Sequence, residues 1–352
     1  MNLLSREIIE EILEVGTRAI SIFNVQPWRF KIHSDSVDIF IIRSKTFFLK
    51  LDGVMEIALG ALIENISQGA LAKGFTAKVY ETDKIASLDS PCARIRFTYS
   101  KNKEPLDISH VLKRVSDNRA YKKRPIPLNI IDELKGFIVQ KSIALRTVNN
   151  DDKEYIAKIM ADLEGVLLTN ARLCIETLRY IRWDPSEIER EKDLLDVRRL
   201  NSFSTQTTQL LQSRQKKIAH RIAKLIGTPR RIKKQYKDIY SSSGSFLIFT
   251  LEERNSSNLI QLGQQIQCVM NELTRLDLAS APIANGLYLL DLLRENTEIF
   301  SNSEKNTLLN CKFELEEFFD MRDRKIVFVL RTGYVNSVIS PTLRKPLCEL
   351  TI

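Results

Sequence analysis

Two stretches of this chain read nearly alike. EIALGALIENISQGALAKGF at 56–75 and LIQLGQQIQCVMNELTRLDL at 259–278 each carry an apolar pair, a glycine, a polar or small pair, and then a long apolar face that closes near a positively charged turn. A helix that is apolar on most of its circumference has to be buried. Two such helices, each flanked by strand-like runs, predict an internally duplicated chain whose long helices pack together at the centre. A chance likeness between two buried helices is the alternative.

The flanking segments fit a mixed α+β chain. Leu4, Ile8, Ile12, Val15 and Ile20 recur near helical period over 3–20. RFKIHSDSVDIFII gives two alternating runs around Ser34-Asp35-Ser36, a hairpin. TAKVYE and ARIRFTYS read as strands, and a Lys/Asn/Glu/Pro stretch at 101–105 reads as a boundary. Beyond it, LNIIDELKGFIVQ and DDKEYIAKIMADLEGVLL are helical, SFLIFTLEE is a buried strand, and DRKIVFVLRTGYV is a strand ending in a turn. The expected units are 1–105 and 106–352. The second carries an insertion at about 170–243, helical and strongly basic from Arg214 to Lys237, with no counterpart in the first.

With 352 residues, 43% of them hydrophobic, the chain is long enough for two domains or one large one. No apolar run approaches the roughly 20 residues that span a bilayer, and the start MNLLSREIIEEILEVG has no signal-peptide pattern. Five scattered cysteines without a C-x-x-C spacing argue against disulfides and zinc, and predict a reducing, cytoplasmic setting. His33, His110 and His220 do not cluster, so neither a metal site nor a Ser/His triad is expected. The net charge of +9 admits an anionic ligand, a nucleic acid or an acidic membrane surface.

Four short motifs then stand out. They are S-x-x-N-x-Q-P-W at Ser21–Trp28, R-x-S in RVSDNRAY at 114–121, the Pro282-Ile283 turn in LASAPIANG, and P-x-x-R-x-P in PTLRKP at 341–346. Together they resemble the nitroreductase family of FMN proteins, over most of the chain except 170–243. The resemblance implies an α+β fold of mixed, mostly antiparallel sheets wrapped by helices. It implies that Arg114, Ser116 and Arg344 hold the FMN phosphate. Ser21, Asn24 and Gln26 then hold the flavin ring and ribityl chain, and a backbone N–H at Ala284 or Asn285 faces flavin N5. Each unit carries the motifs the other lacks, as in the duplicated Acg-like branch of that family. One flavin site at the internal interface of a fused pseudo-dimer follows, in a monomer or weak homodimer.

The residue types suit these roles. A phosphate takes guanidinium forks and hydroxyl donors, and an Asn or Gln amide both donates and accepts. Pro27 predicts an extended backbone at Gln26. Trp28 reads as a core anchor. Departures from the family pattern include Asn118 where a basic residue is usual, with Arg119 one place late; the resemblance implies that one or the other contacts the phosphate or the pyrimidine, so both count among the expected cofactor-binding residues. Thr342 replaces a second cation, Asp277 a glycine, and Ala284 an acid.

The resemblance implies electron transfer from NADH or NADPH through flavin to a small electrophilic acceptor, a nitroaromatic or quinone. Arg119 or Lys122 is the expected cation near the reduced ring, and no side chain is required as general base. A catalytically quiet flavin holder closed by the insertion as a lid is the alternative. A basic adaptor on a retired scaffold is the third reading. Nucleic acid is not expected as a partner, because the basic run is interleaved only with Tyr236 and Tyr240 among aromatics.

Overall fold

The computed structural model describes residues 4–42, 47–51, 53–81, 90–100, 106–199, 228–283, 285–321 and 323–352. The stretch at 101–105, Arg214 and the basic residues up to 227, His220 and Ala284 lie outside these. The first part runs α1 (Arg6–Thr17), β1 (Trp28–Ile32), β2 (Ser36–Ile41), α2 (Val54–Ala72), β3 (Phe75–Glu81) and β4 (Ala93–Tyr99). Its four strands form an antiparallel sheet in the order β1-β2-β4-β3.

After α3 (Ser109–Lys113) and α4 (Leu128–Gly136) the second part begins with β5 (Ile143–Thr147) and α5 (Lys153–Thr169). Then come α6 (Ala171–Leu178), β6 (Ile181–Arg182), α7 (Pro185–Glu191), β7 (Leu195–Asp196) and α8 (Thr228–Ser241). The chain continues through β8 (Ser245–Leu251), α9 (Ser256–Arg275), β9 (Ala279–Pro282), α10 (Asn285–Glu295), α11 (Asn302–Phe318), β10 (Lys325–Gly333) and α12 (Leu347–Leu350). Its sheet is antiparallel in the order β5-β8-β10-β9. In both sheets the order is therefore first, second, fourth, third, with a long helix after the second strand.

Local chemistry explains the ends of several elements. Ser5 caps α1 by accepting a bond from Ile8 N. Ser301 and Glu304 make a reciprocal capping box at α11. β8 is buried along its whole length, which is why SFLIFTL does not alternate.

The helices α2 and α9 cross at two glycines. A Cβ on Gly60 would overlap the Ile260 carbonyl oxygen, and one on Gly263 would overlap that of Ile57. The contacts are reciprocal, as at an isologous interface. Beside the crossing, Gln267 Nε2 donates to Asn271 Oδ1 at 2.8 Å and Asn271 Nδ2 to Asn65 Oδ1 at 3.0 Å. Gln267 Oε1 in turn accepts from Ile20 N at 3.0 Å. This buried polar ladder fixes the loop after α1 to the centre of the molecule.

Residues past Ser337 cross to the first sheet. Thr351 bridges Phe30 of β1, and Ile352 N donates to Phe30 O at 2.9 Å. Among the described residues no helix is long and apolar enough to cross a membrane.

Candidate functional site: an arginine-rich cleft

The loop after α1, the loop after α3 and the crossing carboxyl-terminal arm meet at one place. They enclose a cleft with about 1070 Å³ of space, open mouth included. Ser21, Asn24, Arg114, Ser116, Asn118, Thr342 and Arg344 line it beside an apolar wall that includes Ile57, Ala58, Leu195 and Pro282. Six of the ten residues expected from the motifs thus share one cleft, drawn from segments far apart in the chain.

The loop Phe23–Gln26 is bent hard. Phe23, Asn24 and Gln26 all have positive φ, at 49°, 59° and 50°. Such backbone is rare outside glycine and clusters at functional sites. It corrects the expected extended conformation at Gln26. Proline disfavours the right-handed helical region for its predecessor, and here the tight turn takes Gln26 into the left-handed region instead. Gln26 is buried and its side chain is used within the chain. Its Nε2 donates to Lys192 O at 2.9 Å, and its Oε1 accepts from Lys345 N at 2.9 Å. Gln26 N donates to Ser21 Oγ at 3.1 Å. Asn24 Nδ2 donates to Leu194 O and Leu343 O, at 3.2 and 3.3 Å. Phe23 stacks on Tyr180 at 4.6 Å. Trp28 is fully buried, the core anchor that the sequence predicts.

Four guanidinium groups gather here: Arg18, Arg114, Arg199 and Arg344. None forms an ion pair with an acid among the described residues. Arg114 is only 3% exposed. Its Nη2 donates to Arg18 O at 2.7 Å, while Nε and Nη1 are buried without a partner. Burial first, and then repulsion from Arg18, pushes its pKa down to about 10. Arg344 differs. Its Nε donates to Thr17 O at 2.7 Å, Nη1 to Leu343 O and the Thr342 hydroxyl, and Nη2 to Arg18 O and Ala19 O. These bonds cap the negative end of α1 and tie the arm to it. Burial, with repulsion from Arg114, Arg18 and Arg199, holds Arg344 well below the usual arginine range. It therefore brings charge to the cleft, whereas Arg114 brings open donors.

Arg119 turns away from this group. Asp117, almost fully buried, takes Nη2 of Arg119 at 2.7 Å and its backbone N at 3.0 Å. Arg331, itself buried, donates to the carbonyls of Asp117 and Arg119 at 3.0 and 2.7 Å and lies over the Tyr121 ring. Asp117 N also donates to Ser280 O of β9 at 2.9 Å. The R-x-S loop is held from behind in this way, with Ser116 and Asn118 left at the cleft. Lys122 is exposed and pairs its backbone with Tyr334. Asn285 begins α10, just past Pro282. Behind it, Gly286 N–H bonds Glu164, a buried carboxyl on α5 that desolvation pushes up to about 7.

Sequence reasoning missed Arg199, Asp117, Arg331 and Glu164. Arg199 sits in the inserted region, where no motif pointed to it. The described part of that region, with Leu195 and Arg199, forms part of the cleft wall. Asp117 and Arg331 look like surface charges in sequence. Among the described residues no cluster of three or more His, Cys, Asp or Glu side chains could hold a metal.

No protein-family model matches the chain, and no curated protein is similar to it in sequence. Similar solved structures exist. One is a nitroreductase with bound FMN from Desulfitobacterium hafniense, 11% identical, TM-score 0.37, covering 67% of this chain and 92% of that one. Another is an FMN-dependent nitroreductase of Mycobacterium smegmatis in complex with NADPH, 13% identical, TM-score 0.37, covering 69% and 95%. A third, from Clostridium difficile, is 14% identical, TM-score 0.35, covering 68% and 94%. These nitroreductases are what the chain is similar to among solved structures.

Proposed function

We propose that the cleft binds FMN and that the protein is a flavin oxidoreductase, taking electrons from NADH or NADPH and passing them to a small electrophilic acceptor. The observation that carries this reading is Arg114, a buried guanidinium with two unpartnered nitrogens in the wall of an acid-free cleft. A buried cation without a counter-ion is strongly unfavourable, and an anionic ligand removes that cost. The chain's residues fit a flavin mononucleotide. Arg114 and Ser116 would hold the phosphate, with Arg344 adding charge. Ser21 and Asn24 supply hydroxyl and amide groups for the ribityl chain, and the apolar wall suits the ring. When bound, FMN supplies two-electron transfer through its ring nitrogen N5. The chain's part is to bind it, orient it and exclude water, for which no general base is needed.

The two matching sheet topologies and the reciprocal Gly60 and Gly263 contacts support a duplicated chain, with units near 1–105 and 106–352. In that reading the second site has lost its motifs, and one flavin per chain is expected. A quiet flavin holder is the second reading. The docking of Leu195 and Arg199 against the cleft favours it, because an inserted segment there narrows access.

An absorption spectrum of the purified protein, before and after anaerobic addition of NADH or NADPH, tests both. A flavin spectrum near one FMN per chain that bleaches supports the oxidoreductase. A flavin that stays oxidised supports the holder. A protein that takes up no flavin from excess FMN refutes the proposal.

A further inference from the structure

A second, polar cleft opens beside the first and shares Ser116, Asn118 and Arg199 with it. Its charges are arranged unevenly. Arg119 is paired with Asp117 at 2.7 Å, and Arg198 with Asp196 at 2.8 Å. These two acids are therefore already neutralised. Arg199 lies on the wall common to both clefts. It donates from Nη2 to Pro341 O at 2.8 Å and has no ion pair among the described residues. Its half-burial weakens its hydration, and the charges of Asp196 and Asp117, each already paired with another arginine, reach it without forming an ion pair.

The deeper cleft shows the same excess. Arg114, Arg199 and Arg344 on its wall, with Arg18 close behind them, carry four positive charges, and a phosphate monoester brings only about −1.5 to −2 at neutral pH. One phosphate at Arg114 leaves roughly half of that charge uncompensated. Arg199 is the member of the group that faces the second cleft as well as the first. Guanidinium recognises carboxylate and phosphate through paired, charge-assisted bonds. A ligand whose apolar body lay against Leu195 would present an acidic end to Arg199.

We propose that this shared mouth is an anion subsite read by Arg199, and that the electron acceptor of the cleft carries a carboxylate or phosphate group. Calling that ligand an electron acceptor rests on the flavin reading; the subsite itself does not. The subsite is a place where charge selects among ligands of equal shape. Arg199 is a specificity residue there, and the neighbouring Asp117 and Asp196 pairs keep the mouth from binding cations.

The test is calorimetric titration of the purified protein, as isolated, with benzoate, with its neutral isostere benzamide, and with phenyl phosphate. Benzoate or phenyl phosphate is expected to bind at least about ten-fold more tightly than benzamide, and the stronger of the two identifies the acidic group. The preference should fall as salt rises from about 0.05 to 0.5 M, because charge drives it. Arg199→Gln should bring the acid down to the level of benzamide. Equal binding of acid and amide by the wild-type protein overturns the proposal. So does a preference that survives Arg199→Gln, or Arg199→Met where the first variant does not fold, with FMN present in excess so that Arg114 is occupied. The flavin spectrum of the same sample separates the two readings. Acid selectivity without flavin sinks the oxidoreductase and keeps the subsite, and flavin without acid selectivity does the reverse.

Discussion

Replacing Arg114 by methionine is expected to stabilise the ligand-free protein while weakening its grip on FMN. A buried donor without a partner costs about 1–3 kcal/mol, and Arg114 has two such nitrogens. Removing both recovers about 2–6 kcal/mol. The same change loses the bond from Nη2 to Arg18 O, a charged bond of about 1.5–3 kcal/mol. The balance is a gain of about 2 kcal/mol, since methionine fills much of the space with an adaptable apolar chain. In the complex the sign reverses. Two charge-assisted bonds to phosphate, about 1.5–3 kcal/mol each, disappear. That corresponds to a loss of about 10²- to 10⁴-fold in affinity. Urea denaturation of flavin-free wild type and R114M measures the first effect, and quenching of FMN fluorescence measures the second. A variant that is less stable without flavin, and that binds FMN as the wild type does, would show Arg114 to be a structural cation. The phosphate assignment would then fall.

Four other outcomes are expected. Glu164 has a folded pKa raised to about 7 by burial, so its contribution is present below the ordinary carboxyl range and is lost as pH rises through about 7. Wild type should lose about 3 kcal/mol of stability between pH 5 and 8 relative to E164Q, measured by urea denaturation at both pH values. Gly263→Ala should cost about 1–3 kcal/mol or more, by denaturation midpoint, because the new methyl meets the Ile57 carbonyl. Gly136→Ala in α4, where a Cβ meets nothing within 4 Å, should be neutral or stabilising by up to about 1 kcal/mol. Arg344→Met should destabilise the flavin-free protein by about 2–4 kcal/mol, opposite in sign to R114M, because the end of α1 and the arm lose their tie. Faster proteolytic cleavage within 337–346 would accompany it.

Much of the architecture was legible because burial leaves a periodic trace. The hairpin about Ser34–Ser36, the apolar run of β8 and the two long helices all follow from patterns of one residue type. The site was partly legible because phosphate recognition needs Arg and Ser in short fixed spacings. Gln26 was misjudged because its local sequence says only what proline forbids. Which allowed region it occupies is settled by the tight turn, whose glutamine side chain is fixed to Lys192 and Lys345, far along the chain. Arg119 is a donor by sequence, and only the buried carboxylate two residues before it decides where the guanidinium goes. Arg199 had no local signal, since its meaning comes from the three other arginines beside it. The four share a space only after folding.

The tie between Arg344 and the end of α1 joins groups 327 residues apart. Contacts this distant form late, after the entropy of closing a very large loop has been met. The cleft is thus among the last places to take shape as the molecule assembles. A ligand held there acts as a clasp that only fully assembled molecules can close. Its uptake would time the final step of refolding, where backbone signals from the two sheets have already saturated.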